Sequence, residues 1–487
     1  MVKKFLRDLG YDIPDSIMTE SIETWSAWRR GKVDSFHSYK WYNGEKEISC
    51  VRQSLQLAKT VVETWSGMLF SDQCVISVDG QDISAEGEPL NPTAEFARQV
   101  FDNTNLWHRI SEAQELKCTY GTVVYLPRAL GIVYDQNMRI MAGRNLEVDI
   151  ITADMLFPLT VEYGNIIELA VASKKMIKKE TFVYVQLFIR DKSTGFYLVE
   201  NHMIQVTDNN YVRIDINSIP GFENIPAVLN TESITRPFVV DRLNIANNID
   251  PASPLGIAVF ANAIDAMKTC DIIFDSMTTE YALGRTRLFL PTEALNNKDG
   301  KPYFDTQDVM FQFMPMLASL PDSVKKQIDV VQPLLRIDAH EKGLQLALNI
   351  FSSLCGLGES YYSFSTGTRT ATEIMVSQSA AIKTKARHEK ILEAVLHDLV
   401  VLLVDIGINI LKYPGLNPEP EIRIVFEDGV VDDKISLKKQ DILEVSQGLM
   451  KDWEFRVKWY GEAKEDAQAV LGTGQSAEDQ DEYYANS

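Results

Sequence analysis

Residues 254–283, PLGIAVFANAIDAMKTCDIIFDSMTTEYAL, form the stretch from which the architecture of this chain can be predicted. Their apolar side chains recur every three or four positions, which is the spacing of one buried helical face. These positions are Val259, Ala263, Met267, Cys270, Phe274, Met277 and Tyr281. Polar residues occupy much of the opposite side. The pattern predicts one amphipathic helix that begins near Pro254.

Two further helices are predicted after this one. The first has the same spacing of apolar residues, at Leu344, Ala347, Leu348, Phe351 and Leu354. A polar and aromatic loop, residues 358–370, leads from it into a long helix that is predicted to begin at Ala371. Between the two amphipathic helices, residues 287–291 and 310–314 have strand character, and residues 296–300 predict a turn. The order predicts two long helices with a small module inserted between them.

The chain before these helices combines helical and strand patterns. Residues 1–75 are predicted to be helical, and a helical pattern returns between Glu95 and about Leu116. From Thr119 to about Val228 the apolar residues alternate or form short runs, separated by turn residues. The predicted fold class is therefore α+β.

The C-terminal part continues this mixture. After the long helix, residues 420–427 predict a strand, and residues 441–450 and 463–470 predict short helices. Residues 472–487 are polar and acidic, which predicts a flexible tail.

The composition is acidic, with 48 Lys plus Arg against 68 Asp plus Glu and a net charge of −20. Proteins that grip nucleic acid tightly usually carry a basic balance. Two interpretations remain open: the charge keeps a large assembly soluble, or it lets DNA slide rather than stick. The five cysteines are odd in number and lack CxxC spacing, which argues against a disulfide framework or a zinc site and indicates a reducing cytoplasm during synthesis.

Catalytic and membrane signatures are absent from the sequence. It contains no GxxxxGK[ST], GxSxG or HExxH; the pairs His340-Glu341 and His388-Glu389 begin like the last motif, but Leu344 and Leu392 occupy its closing position. We therefore expect no enzyme activity, no cofactor and no bound metal. No signal peptide is evident at the N-terminus, and the apolar run 395–411 contains charged residues that favour a buried helix over a membrane span.

Three segments together resemble the portal protein of tailed bacteriophages, of the type common in phages of Gram-positive hosts. They are residues 244–276, residues 370–377 with the sequence TATEIMVS, and residues 448–470, which include WEFRVKWYG. The resemblance covers most of the chain and implies the portal fold. Its parts would be a wing (1–253), stem helices (254–283 and 337–357), a clip (284–336), a channel loop (358–370), a long helix with a return strand of the wing (371–435), a helical crown (436–471) and a flexible acidic tail (472–487).

The resemblance implies that the loop 358–370 lies in the central channel, against DNA. The residues that it would present there are Tyr361, Tyr362, Phe364 and Arg369. Repeated around a ring, Arg369 would attract phosphates without reading sequence. The alternative is an ordinary surface turn whose aromatic side chains anchor it to neighbouring helices.

Two charged groups on the helices are further candidates. Lys383, Arg387 and Lys390 share one face of the long helix by their spacing, and that face could contact DNA, contact a neighbouring subunit or remain solvated. On the first stem helix, a cation lies among three carboxylates that could set the packing or the register between subunits. These four residues are Asp265, Lys268, Asp271 and Asp275.

The function implied by the resemblance is a ring, in the family dodecameric, at one capsid vertex of a virion assembled in the host cytoplasm. It would let DNA in during packaging and hold or release it afterwards. Implied partners are double-stranded DNA bound without sequence specificity, the terminase large subunit, a head-completion or adaptor protein, and the major capsid and scaffolding proteins, with no membrane. Two other classes remain open: another virion adaptor, which would lack the insert between two helices, and a nucleic-acid enzyme, which would show metal-dependent turnover.

Overall fold

The structure is a computed structural model of the 487-residue chain. For residues 134, 141–142, 287–291, 296–298, 301–303, 310–314, 329–331 and 371–378 it describes the backbone alone. It otherwise describes all residues except 14–15, 43, 71–73, 86–88, 135–139, 144, 178–179, 208–209, 224, 285–286, 292–295, 299–300, 304–309, 315–328, 363–370, 427–440, 447–449 and 461–487.

The chain forms two compact units. The first comprises residues 1–70 and 75–425, and the second comprises residues 71–74 and 426–487. Both helices and sheets are present in the first unit, which confirms the predicted α+β class.

The N-terminal segment contains helices, as predicted, but also a hairpin that the sequence analysis missed. The helices are α1 (Val2–Asp8), α2 (Met18–Arg29), α3 (Asp34–His37) and α4 (Leu57–Leu69). Strands β1 (Ser38–Tyr42) and β2 (Glu47–Val51) pair antiparallel between α3 and α4. The prediction of an all-helical segment was therefore wrong, because aromatic and β-branched residues on both sides of the Gly44 turn favour paired strands.

A second group of helices lies next along the chain. β3 (Cys74–Val78) and β4 (Gln81–Asp82) pair antiparallel across a turn at Asp79-Gly80. α5 (Pro92–Asn103) and α6 (Leu106–Tyr120) then divide the predicted helical stretch in two. The first of these begins where the Asn91 side chain accepts a hydrogen bond from the backbone amide of Ala94, with proline at the first helical position.

The β-rich region forms as predicted from the alternating pattern. Its largest sheet has six strands, with β14 pairing to β12 beside the order β13-β12-β11-β10-β9. The strands are β9 (Leu156–Glu162), β10 (Asn165–Ile177), β11 (Glu180–Arg190), β12 (Tyr197–Thr207), β13 (Asn210–Ile214) and β14 (Val228–Asn230). Phe5 and Leu6 of α1 are fully buried against one face of this sheet. That burial attaches the first helix to the sheet.

A smaller sheet, in the order β15-β5-β8, packs against α6 and against the long helix Ala371–Asn409. Its strands are β5 (Thr122–Leu130), β8 (Asn145–Thr152) and β15 (Val239–Arg242), and the short strands β6 (Val133–Tyr134) and β7 (Ile140–Ala142) pair with each other. Gly121 at its start has φ +75°, and a Cβ there would lie 2.4 Å from the carbonyl oxygen of Gly256. The two glycines therefore let the segment before the stem helix pack directly on the backbone of the sheet.

The first of the two predicted amphipathic helices, α7 (Ile264–Leu283), begins later than predicted. A helix from Pro254 was wrong: residues 255–260 are buried non-helical chain, and a single 3-10 turn, Ala261–Ala263, precedes α7. Two prolines at 251 and 254 and the close backbone approach at Gly256 disfavour helical geometry there.

The insert and the two later helices follow in the predicted order. The insert strands are β16 (Arg287–Pro291), β17 (Asn296–Lys298), β18 (Lys301–Tyr303), β19 (Met310–Met314) and β20 (Asp329–Val331). The predicted turn at 296–300 was thus partly wrong, because residues 296–298 form a strand that pairs with β18. α8 (Ile337–Leu354) packs against α7, and α9 (Ala371–Asn409) begins where the sequence predicted.

The remaining elements follow α9. Strand β21 (Ile422–Phe426) lies within the predicted strand and joins β3 and β4 in one sheet. In the second unit, residues 441–446 are helical, as predicted, and α10 (Asp452–Tyr460) covers most of the WEFRVKWYG segment. Predictions for residues 463–470 and for the tail 472–487 lie outside the described residues. Within the described part of the chain, none of the helices combines the length and apolar character that a bilayer span requires.

Candidate functional site

The α7–α8 pair is the framework on which the candidate residues are arranged. Cys270 of α7 is buried with Leu344, Ala347 and Leu348 of α8, in the stripes that the sequence predicted. Burial of these apolar side chains holds the two helices together along their shared face. The insert therefore leaves and re-enters the fold at the end of a packed helix pair.

Two of the predicted stem carboxylates bind their own chain rather than standing free. Asp271 is 2% exposed; it accepts from the amide of Leu55 at 2.8 Å and lies 3.2 Å from Nε2 of His37. Asp275 accepts from the amide of Gln53 at 3.2 Å. Both carboxylates thus attach the segment around the N-terminal hairpin to α7. The sequence did not predict this role, because the hydrogen-bond partners of the two carboxylates lie more than two hundred positions away along the chain.

The other two stem residues remain at the surface. Lys268 donates to Asp265 at 2.9 Å on the same helix face, and the Asp265 side chain is 95% exposed. Since this pair is exposed, its own contribution to stability is small. Contact with a neighbouring subunit stays a prediction for these two residues.

The loop after α8 starts as an anchored turn. The Tyr362 hydroxyl shares a 3.0 Å hydrogen bond with Thr64 of α4, and its ring stacks near Phe351 with centroids 6.1 Å apart. Tyr361 packs edge-on against Tyr362. Burial raises the pKa of Tyr362 to about 12, so its hydroxyl stays protonated. The structure therefore gives Tyr362 the anchoring contacts of the alternative interpretation, while Phe364 and Arg369 lie outside the described residues.

The three predicted cations of α9 lie on one exposed face. Lys383, Arg387 and Lys390 are all exposed, whereas Lys385 between them is buried and pairs with Glu389 at 2.8 Å. Within the described residues the three exposed side chains have no ion-pair partner. This face therefore presents three positive charges that an anionic ligand or an acidic neighbour could reach.

A cluster at the foot of the insert was missed by the sequence analysis. Glu280, near the end of α7, accepts from the backbone amide of Arg336 at 2.9 Å, from the Arg336 guanidinium at 3.2 Å and from His340 Nε2 at 2.5 Å. These hydrogen bonds lower the pKa of Glu280 to about 2, the Arg336 side chain having the largest effect. The cluster joins the end of α7 to the start of α8, which are the two segments on either side of the insert. His340 had been considered only as the first residue of an incomplete HExxH.

A second cluster, which is buried, attaches α9 to the core. Lys117 of α6 donates to Asp241 of β15 at 3.1 Å, and Gln114 donates to the other oxygen of Asp241 at 3.2 Å. His388 of α9 packs edge-on against Trp65, with ring centroids 5.3 Å apart, and accepts from the Asn244 amide at 3.0 Å. Burial, with Lys117 and Arg387 adding to its effect, lowers the pKa of His388 to about 4.

The described residues offer little to catalysis or to a metal. Among them, no group of three or more His, Cys, Asp or Glu side chains is placed to hold a metal ion. None of the five cysteines, all of which the structure describes, forms a disulfide. Burial raises the pKa of the Cys118 and Cys270 thiols to about 12, which keeps them protonated and unreactive.

A helix pair that carries an insert at one end, and that leads through an anchored turn into one long helix, has the element order expected of a phage portal protein. The family model "Phage portal protein, SPP1 Gp6-like" matches residues 21–452, and the chain therefore belongs to the SPP1 Gp6-like family of phage portal proteins. It is thus a virion-associated structural protein of a family that is not enzymatic.

One solved structure is similar in outline. A chain of the "Virion of native gene transfer agent (GTA) particle" is 10% identical, over 82% of this chain and 87% of that chain, with a TM-score of 0.39. Among curated proteins, no sequence matches this chain.

Proposed function

We propose that this portal protein assembles into a ring, dodecameric as in the family it resembles, and forms the DNA conduit at one capsid vertex. The observation that carries the proposal is the family match across residues 21–452, which includes the helix pair, the insert and the whole of the long helix. The ring would admit the genome during packaging, retain it and release it at ejection. Its own residues would perform no bond chemistry.

The conduit would contact DNA through charge and not through base recognition. The net charge of −20 disfavours tight binding, and the exposed Lys383, Arg387 and Lys390 supply local positive charge. Repeated around a ring, such cations would contact phosphates whatever the rotational position of the duplex within the ring. Tyr362 would hold the start of the channel loop against α4 and α8.

The insert would be the clip, on which the terminase large subunit and later a head-completion or adaptor protein dock. The Glu280 cluster supports this assignment, because it fixes the two ends of the insert to each other. A module with fixed ends can transmit a load from a docked motor to the stem. The wing and the crown would meet the major capsid and scaffolding proteins, during assembly in the host cytoplasm.

The first experiment is negative-stain microscopy of the purified protein with mass measurement of the particles. Rings with a central hole are expected. A chain that stays monomeric even when produced together with its capsid and scaffolding proteins would contradict the proposal.

Replacement of Arg369 by Ala tests the conduit. The expected result is normal ring assembly with reduced DNA packaging or retention, because a circle of positive charge is removed. Packaging is measured as full capsids per ring-containing capsid. Unchanged packaging by this variant would remove the reason for placing the loop in the channel.

A further inference from the structure

The hairpin β1–β2 carries two exposed apolar side chains toward its tip, on the face whose base contacts α7. Trp41 and Ile48 are direct cross-strand partners, and they are 56% and 37% exposed. Side chains alternate along a strand, so Tyr39 and Cys50 belong to the same face. A two-stranded hairpin is marginally stable in water by itself. This one therefore gains if another surface covers its aromatic face.

The base of the hairpin is attached to one side of α7. The Tyr39 hydroxyl donates to Asp275 at 3.4 Å, and the amides of Gln53 and Leu55, just after β2, donate to Asp275 and Asp271. Arg52 lies over the Tyr39 ring at 4.8 Å. These contacts fix the direction in which the hairpin leaves the helix.

Helix α8 contacts α7 on a side that includes Ile273. Ile273 packs into the cluster that joins α7 to α8, and it is two positions from both Asp271 and Asp275. Two positions correspond to about 200° around a helix. The two carboxylates that hold the hairpin base therefore lie on a different side of α7 from Ile273, while Leu55 packs against the same cluster as Ile273.

Helix α8 carries its own exposed apolar row. Leu346, Ile350 and Leu354 are spaced four residues apart and are 63%, 50% and 48% exposed. The row borders the buried residues Leu344, Ala347 and Leu348, because Ile350 is three positions from Ala347, so the apolar surface of the helix is only partly covered within the chain. Large apolar side chains in a continuous exposed row indicate an interface.

We infer that the Trp41–Ile48 face of one copy covers the Leu346–Ile350–Leu354 row of the next copy. This inference rests on the proposed ring. Closing a ring by rotation requires a heterologous contact, in which two different patches of one chain meet on adjacent copies. The two apolar patches meet this requirement because one lies on the hairpin and the other on α8, so they are different surfaces of the chain. The exposed side of α7 is a poorer partner for the row, since Ile272 there is surrounded by Lys268, Thr269, Ser276 and Thr279.

Cysteine cross-linking tests the contact. In a chain carrying Cys50→Ser, which removes the half-buried native thiol of the hairpin, Trp41→Cys is combined with Ile350→Cys and assembled rings are treated with a short bismaleimide. A ladder of covalent multimers is expected. Two matched pairs serve as controls: Trp41→Cys with Glu341→Cys, which is exposed and lies about 180° around α8 from Ile350, and Ile272→Cys with Ile350→Cys.

The outcomes separate this inference from the proposal beneath it. Rings that yield no ladder from the Trp41/Ile350 pair, or that yield one only from the Ile272/Ile350 pair, would overturn the inference and leave the ring intact. If the unsubstituted chain forms no rings with its capsid and scaffolding proteins, the proposed function fails and the inference with it.

A matched pair of hairpin variants gives an independent measurement. Trp41→Ser should raise the protein concentration needed for ring assembly about tenfold or more, as expected for an aromatic anchor at an interface. Tyr42→Ser should leave it unchanged, because Tyr42 is 62% exposed on the other face of the hairpin. Equal effects of the two substitutions, or no effect of either, would contradict the proposed contact.

Discussion

The buried Lys117–Asp241 pair and the Glu280–Arg336–His340 cluster use the same chemistry in opposite surroundings. The side chains of Lys117 and Asp241 are 1% and 0% exposed, whereas Arg336 is 70% exposed. Each links elements that are distant in sequence: α6 with β15 in the first case, α7 with α8 in the second.

The difference shows where an ion pair is needed for the stability of the whole fold and where it affects only local structure. In the core, water cannot replace a lost partner, so the remaining charge would be uncompensated. At the foot of the insert, water can solvate Arg336 if Glu280 is lost. We therefore expect the core pair to control global stability and the Glu280 cluster to control the local order of the helix ends.

The largest effect is expected from Asp241→Ala. It leaves the Lys117 ammonium buried without a counter-charge and should lower the free energy of unfolding by about 3–5 kcal/mol. Denaturant unfolding measures this loss. Combining it with Lys117→Met should recover most of the stability, and a double variant as unstable as the single one would show that lost packing, not the unpaired charge, causes the effect.

Protonation of the buried His388 should make the stability of the fold depend on pH. Its folded pKa of about 4 lies below its ordinary value of 6.5, so the unfolded chain binds the extra proton first as the pH falls. Stability should fall between pH 6.5 and pH 4, by up to about 1.4 kcal/mol for each pH unit, and His388→Gln should flatten this dependence. Thermal unfolding across this range measures it. An unchanged pH dependence in His388→Gln would contradict the assignment to His388.

Glu280→Gln should have a smaller, local effect. The folded pKa of Glu280, about 2, lies below its ordinary value of 4.5, so its stabilisation is fully present above pH 4.5 and is lost as the pH falls toward 2. Hydrogen exchange of the Arg336 amide, which donates to Glu280, should quicken in the variant at neutral pH. This difference from the unsubstituted chain should vanish near pH 2. A global loss as large as that of Asp241→Ala would break the contrast between the two regions.

The smallest effect on stability is expected from replacing Lys383, Arg387 and Lys390 together by Gln. The three side chains are exposed, so the free energy of unfolding should change by no more than about 0.5 kcal/mol. Capsid filling and ring yield distinguish the two functional interpretations. Normal rings with poor filling indicate DNA contact, poor rings indicate an intersubunit face, and no change in either indicates a solvated face.

Periodic patterns predicted much of this architecture correctly. Repeated burial imposes a regular spacing on apolar residues, and this spacing predicted three features correctly. They are the apolar stripes of α7 and α8, the start of α9 at Ala371 and the β-rich region. The hairpin at Ser38–Val51 was missed, since its aromatic residues also fit a helix-rich core. The start of α7 was placed too early because Val259 and Ala263 continue the apolar spacing, while the glycine contact that prevents a helix involves a residue far along the chain.

The candidate site was less predictable than the fold. Spacing alone was enough to group Lys383, Arg387 and Lys390, because local helix geometry determines which residues share a face. Asp271 could not be separated from Asp265 in the same way. Its burial against His37 and the Leu55 amide depends on which distant segment packs on that side of α7.

The sequence by itself determined the α+β class, the order of helices around an insert and the kinship to portal proteins, since these follow from local periodicity and from the order of short segments. Only the tertiary structure decided which charges are buried in pairs, which aromatic side chain anchors the loop and which apolar faces stay open. Those properties depend on contacts between residues that are far apart along the chain, and the free energy of each contact depends on how completely packing removes water from it.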